Sequence, residues 1–381
     1  MASCKHVLGK DLVHPGMLSV TERSKSAEHL SKKVQASNNP SSLGLVREAW
    51  SHALSLQMMF TGARGFVSIV CLAFLIGAAA ICYWPFKLSI TMTSKLMSED
   101  GMGGYALVML FMSAWMGGMA LVAVCIGVRG LRMDLFGPKD VPLVFNKQTR
   151  KVYKYVQELP KKKGTGALNA LKHLVVSAFS PWPQMLLIEY DWDCLEAEYF
   201  ESTTLMGNVN KTLRVLQFYV KEHPTSQRVI DSFTVASPAV VTRSMSMDLW
   251  EYIRRYMEED GPVMHKGDSP APAWPTSLLQ SAQAVAPYFW PLVLMGSLWS
   301  AYSVWQHGWP HDQGHFGPVV FIVGFISNFF LLAIVFNRLG YALGREAPLP
   351  PAVLETVGEP LDLARLAKEA NAGAVVSQAA T

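Results

Sequence analysis

The chain has 381 residues, half of them hydrophobic, with 16% charged and a formal net charge of +4. About a quarter charged is usual for a water-soluble domain, so the composition points to membrane-embedded segments. So small a positive excess leaves no electrostatic footprint for nucleic acid. The five cysteines lack paired spacing, which predicts neither a disulfide framework nor a thiolate metal site.

Residues 1–64 read as a polar cytoplasmic region, Ser- and Asn-rich at Ala36–Ser42. Within it, Val46, Ala49, Ala53, Leu56 and Phe60 recur at helical spacing, which predicts an amphipathic helix over Leu43–Phe60 at the membrane surface. Residues 65–128 read as a first transmembrane hairpin. Phe66–Trp84 carries no charge and is close to the roughly 20 residues that cross a bilayer. Tyr105–Val128 is the second run, and its small residues Ser113, Ala114, Gly117 and Gly118 suit close helix approach. Basic residues follow at once, beginning with Arg129 and Arg132, and the excess of Lys and Arg assigns that side to the cytoplasm.

Residues 129–260 read as a cytoplasmic β-rich domain. Val141–Val156 has β-branched and aromatic residues on both sides of the polar turn Asn146–Arg150, the pattern of a hairpin. Lys161–Lys163 form a basic loop able to meet anionic headgroups. Ala167–Phe179 fits a short helix or a strand. In Met185–Ser202, Ile188, Tyr190, Trp192 and Cys194 alternate with Glu189, Asp191 and Asp193, which predicts a half-buried strand. Carboxylates spaced by two could share a hard cation. With no Gly-turn loop or histidine beside them, they read instead as a solvated face apposed to the basic hairpin. Leu213–Val220 and Arg228–Val235 add strands, and Ser244–Glu259 is an amphipathic helix with Met247, Trp250, Ile253 and Met257 on one stripe. Strands first and a helix last predict an α+β domain closed by its C-terminal helix, with a pleckstrin-homology-like barrel as the specific candidate.

Residues 261–277 form a Pro- and Gly-rich linker. Residues 278–337 read as a second transmembrane hairpin, followed by Arg338 and a cytoplasmic tail, 338–381. The sum is a four-span, multi-pass protein of the bacterial inner membrane with both termini cytoplasmic. Its outer loop holds His307, His311 and His315, four apart as on one face of a metal-binding helix, but Gly308, Pro310 and Gly314 oppose that helix and no metal is expected. GxSxG, the P-loop, GxGxxG after a strand and HExxH are all missing, so no catalytic residue or cofactor is predicted.

At Leu135–Tyr155 the chain resembles a proteobacterial inner-membrane family carried as a domain of unknown function. The matching residues are Leu135, Phe136, Pro138, Asp140, Pro142, Phe145, Asn146, Arg150, Lys151, Val152 and Tyr153, followed by Tyr190, Asp191, Trp192 and Asp193. Lys147 stands where arginine is more usual. The resemblance covers about residues 45–260 and the flanking apolar runs. Such families are often associated with type VI secretion effector loci. The resemblance therefore implies an immunity or accessory protein that binds a toxin or secretion-system protein without catalysis. A membrane-anchored scaffold or lipid sensor is the alternative expectation, with membrane lipids as partner.

Overall fold

A computed structural model describes residues 5–8, 28–58, 64–97, 103–157, 166–179, 185–206, 209–235, 242–287, 302 and 313–379. The protein is α+β, with two antiparallel sheets. The strands are β1 (Lys5–Leu8), β2 (Glu28–Leu30), β3 (Val46–Ala49), β4 (Ala53–Leu56), β5 (Leu143–Asn146), β6 (Lys151–Gln157), β7 (Met185–Asp191), β8 (Leu195–Met206), β9 (Val209–Lys221) and β10 (Val229–Val235). Six form one sheet in the order β1-β7-β6-β5-β4-β3, and four form the other in the order β10-β9-β8-β2. The helices are α1 (Phe66–Met97), α2 (Gly103–Phe136), α3 (Ala167–Phe179), α4 (Arg243–Glu258), α6 (Gln313–Leu343), α7 (Pro351–Val357) and α8 (Leu363–Ala379). Residues 278–287 are also helical and are called α5.

The four-span expectation is corrected. Among the described residues, one helical stretch, Leu107–Phe136, is long and apolar enough to cross a membrane. Phe66–Ala79 and Asn328–Leu343 are shorter apolar helical stretches. Most of the run expected as a third span, and the outer loop with His307 and His311, lie outside the described residues. His315 falls within α6, but its side chain is not among those described.

The β-rich part does not begin at residue 129. Leu43–Phe60 is not a helix: it contains β3 and β4, paired antiparallel with Val46 opposite Leu56 and Ala49 opposite Leu54. β4 then pairs with β5, so the sheet is interrupted by α1 and α2 and resumes after them. The hairpin expected over Val141–Val156 is present as β5 and β6, with Phe145 opposite Val152. The expected long strand 185–202 is two strands, β7 and β8, joined by a 3-10 turn at Trp192–Cys194.

Register places the insertions. Leu56 lies opposite Leu143, Leu143 opposite Lys154, and Gln157 opposite Met185. The end of β4, the start of β5, the end of β6 and the start of β7 therefore share one end of the sheet. Both helical insertions, α1–α2 and α3, leave from that end. The turns at Trp50–His52 and Lys147–Arg150, and the 3-10 turn, occupy the opposite end.

The six-stranded sheet is covered on both faces, so β4 and β5 are buried at every position, Ser55 and Asn146 included. One face, with Leu54, Leu56, Phe145, Val152 and Tyr190, meets the second sheet and α4 in the main core. The other face, with Ala53, Val144, Tyr153, Tyr155 and Leu187, is covered by Val353 and Val357 of α7. The core centre is aromatic. Trp192 stacks on Trp250 at 6.1 Å, Phe145 meets Trp192 edge-on at 6.2 Å, and Phe218 stacks on Phe233 at 5.5 Å. α4 lies where its stripe predicts. Its cap is Thr242, whose hydroxyl accepts from the Met245 amide at 3.3 Å. The segment expected as a C-terminal tail also packs on this domain. Leu361 donates its amide to Ala49 at 2.8 Å, and Leu363, Leu366 and Ala367 join the main core.

α1 and α2 are an antiparallel pair: the Ser68 amide meets Asp134 at 2.7 Å, and added Cβ atoms at Gly130 and Gly127 would collide with Cys71 and Leu75. Close approach thus falls at Gly127 and Gly130, while Gly117 and Gly118 have no described neighbour within 4 Å. Cys194 is disulfide-bonded, where sequence spacing predicted none.

Candidate functional site

At the turn end of the sheet, five side chains from four parts of the chain converge. Arg150 closes the β5–β6 turn with φ +54, in the left-handed region. Its guanidinium donates to Asp193 at 2.7 Å and to Glu258, at the end of α4, at 3.2 Å. Trp192 donates its indole N–H to Glu258 at 2.7 Å. Lys32 lies 4.6 Å above the Trp192 ring and donates to the Trp192 carbonyl. Beside them, Lys147 pairs with Asp260 and lies 5.3 Å from the Tyr256 ring.

The electrostatics follow from these contacts. Burial pushes the Lys32 ammonium down to about 8, against the opposing pull of Asp193 and Glu258. The hydrogen bond from Arg150 holds the Asp193 carboxyl below its usual range. Burial pushes the Glu258 carboxyl up, but the Trp192 and Arg150 hydrogen bonds outweigh it and the net direction is down. These groups are charged near neutrality, cross-paired and partly exposed, a composition suited to recognition of a charged partner surface. Among the described residues no group of three or more His, Cys, Asp or Glu could hold a metal ion.

A second polar assembly sits at the insertion end. Arg64, 7% exposed, precedes α1 and donates to the carbonyls of Pro138 at 2.6 Å, Gly137 at 2.8 Å and Leu135 at 3.3 Å. It thereby caps the C-terminus of α2, where a cation is favoured by the exposed carbonyls. Asp134 answers at the start of α1, accepting from the Gly65 amide at 3.1 Å and from Ser68. Asn337 of α6 donates to the Arg64 carbonyl at 2.8 Å. Gly65 has φ +90, and a Cβ there would lie 2.6 Å from the Phe336 carbonyl carbon, so no other residue fits. This joint ties α1, α2 and α6 to the start of β5.

The residues singled out from sequence divide between these places. Phe136 ends α2. Pro138 belongs to the Arg64 joint, and buried Asp140 accepts from the Met58 amide at 3.1 Å. Pro142 precedes β5. Asn146 is buried, accepts from the Thr149 amide and donates to Thr356, so it shapes the turn and pins α7. Phe145, Val152, Tyr153 and Trp192 are core. Arg150 and Asp193 belong to the partly exposed charged cluster, and Trp192 reaches it from the core through its indole N–H. Arg129 and Arg132 do not follow α2 but lie within it, donating to Ser177 at 3.2 Å and to the Ala178 carbonyl of α3. Arg338 lies half-buried in α6. The expected pairing of the acidic strand with the basic hairpin is present at Lys151–Glu189, 2.5 Å, and Arg150–Asp193. Glu189 itself is buried, not solvated. Sequence reading passed over Lys32, Arg64 and Glu258, because each acts through a partner far away in the chain.

The fold and the two polar assemblies define an α+β protein with a two-sheet domain and apolar helices inserted at one end. Residues 120–341 match a family of unknown function, DUF6708, and the chain belongs to that family. No curated protein and no solved structure matches the chain. The pleckstrin-homology-like comparison therefore gains no support.

Proposed function

We propose that this is a membrane-attached binding protein, acting by protein–protein contact without catalysis, as an immunity or accessory partner of a type VI secretion effector. The observation that carries the binding reading is the separation of the two ends of the six-stranded sheet. Apolar helices leave one end, and the Lys32–Arg150–Asp193–Glu258 cluster stands at the other. Such a layout holds a charged recognition surface away from the bilayer. The effector link rests on the family resemblance at Leu135–Tyr155.

The test is protection. Cells that carry a neighbouring effector gene should be poisoned by it when this protein is deleted, and the effector should be recovered with the tagged chain. Arg150→Ala should abolish both protection and recovery at a cost of no more than about 1 kcal/mol in stability. Survival of the deletion strain against every neighbouring effector would remove the immunity reading.

A second reading, a membrane-anchored scaffold or lipid sensor, is favoured by the exposed apolar face of α3. Under it, neutralising Lys161–Lys163 should weaken binding to anionic vesicles.

A further inference from the structure

α3 is apolar on both sides. Leu174, Ser177 and Ala178 turn inward, with Ser177 and Ala178 meeting Arg129 and Arg132 of α2. The outward arc carries Leu171, Lys172, Val176 and Phe179, with Phe179 62%, Val176 51% and Leu171 37% exposed. A helix on the surface of a water-exposed domain normally turns charged and polar residues outward. This one turns out three large hydrophobics, Leu171, Val176 and Phe179, beside Asn169, Ala170 and Lys172. Its 13 residues span about 20 Å, too short to cross a hydrocarbon core of about 30 Å.

Position says what covers the face. α3 leaves the sheet between β6 and β7, at the same end as α1 and α2. Leu107–Ile126 of α2 exposes Leu107, Phe111, Trp115 and Met119 and rises about 30 Å, one bilayer core. Arg129 and Arg132 follow within the same helix, where arginines reach headgroup level, and both hold α3 at that level. The exposed apolar surface of α2 and that of α3 thus meet at the base of the inserted helices.

We propose that α3 is an in-plane membrane anchor, its Leu171–Val176–Phe179 face bedded at the headgroup–acyl boundary of an anionic bilayer beside the base of α2. Lys172 lies on the same arc, able to extend its ammonium to lipid phosphates while its stem stays among acyl chains. The inference rests on membrane attachment through α2. It adds a second contact that fixes the tilt and depth of the β-domain.

The test places a photo-crosslinking phenylalanine analogue at Phe179, Val176, Phe111 or Thr225 of the full chain in phosphatidylcholine–phosphatidylglycerol vesicles. Thr225 is exposed in the β9–β10 turn at the far end of the domain. Lipid adducts are expected at Phe179, Val176 and Phe111, with none at Thr225. Adducts at Phe111 but not at Phe179 or Val176 would overturn the α3 anchor and leave attachment through α2 standing. Protein–protein adducts at Phe179 in place of lipid would likewise overturn it, in favour of a second copy on this face. Loss of lipid adducts at all positions would overturn both readings.

Discussion

The two ends of the six-stranded sheet solve opposite problems with the same residue type. At the insertion end, Arg64 is buried and spends its N–H groups on the carbonyls of Leu135, Gly137 and Pro138, so its charge serves the junction. At the turn end, Arg150 is 40% exposed and faces two carboxylates, so its charge remains available to a partner. Burial decides which arginine is structural and which suits recognition: a buried guanidinium held by three backbone carbonyls has little to offer a partner, whereas a half-exposed one can exchange partners.

Substitutions should separate these roles, and the largest effect belongs to neither arginine. Trp192→Ala removes the ring between Phe145, Phe218 and Trp250 and should cost about 3–5 kcal/mol, read as a lower denaturation midpoint. Arg64→Met leaves helix carbonyls without their donor and should cost about 1–3 kcal/mol. It should also open the 64–65 and 137–139 backbone to protease, and equal protease resistance would mean that Arg64 is not the tie. Arg150→Ala should cost no more than about 1 kcal/mol, because both its ion pairs are partly exposed. A loss as large as that of Trp192→Ala would move Arg150 from recognition to structure.

The last effect is electrostatic. The folded chain releases the Lys32 proton at about 8, and the ordinary value is 10.5. Between those values the unfolded chain holds more protons, so stability should rise with pH across that window. Acetylation of Lys32 should show a half-maximal rate near pH 8 when followed by mass spectrometry. A profile centred near 10 would place the amine in open water. Asp193 and Glu258 act with the same sign in a lower pH window. Their lowered values mean that the stability they supply is present above the ordinary carboxylate range and is lost as pH falls through it.

What was legible in the sequence followed period. Alternation in β7, the β-branched and aromatic residues around the polar turn of β5–β6, and the apolar stripe of α4 were readable in the sequence. The first hairpin was not. Val46, Ala49, Ala53 and Leu56 are spaced by three and four, which mimics a helix, but the turn at Trp50–His52 resets the phase between two short strands. Burial on both faces then erased the alternation in β4 that would have exposed the error. Arg129 and Arg132 looked like the flank of a span because arginine at the end of an apolar run is ambiguous. Arginine is also a good helix former, and α2 continues through both to Phe136. Of the charged cluster at the turn end, Arg150 stood out in the hairpin turn. Lys32 and Glu258 could not, since their roles exist only once β7, β8 and α4 are brought together.

The separation of ends is tested most directly by hydroxyl-radical footprinting of the full chain in phosphatidylcholine–phosphatidylglycerol vesicles. Trp115 and Met119, which are 63% and 58% exposed on α2, should resist oxidation, while residues of the 222–228 turn should react freely. Oxidation of Trp115 and Met119 at the rate of those turn residues would contradict a membrane-facing end.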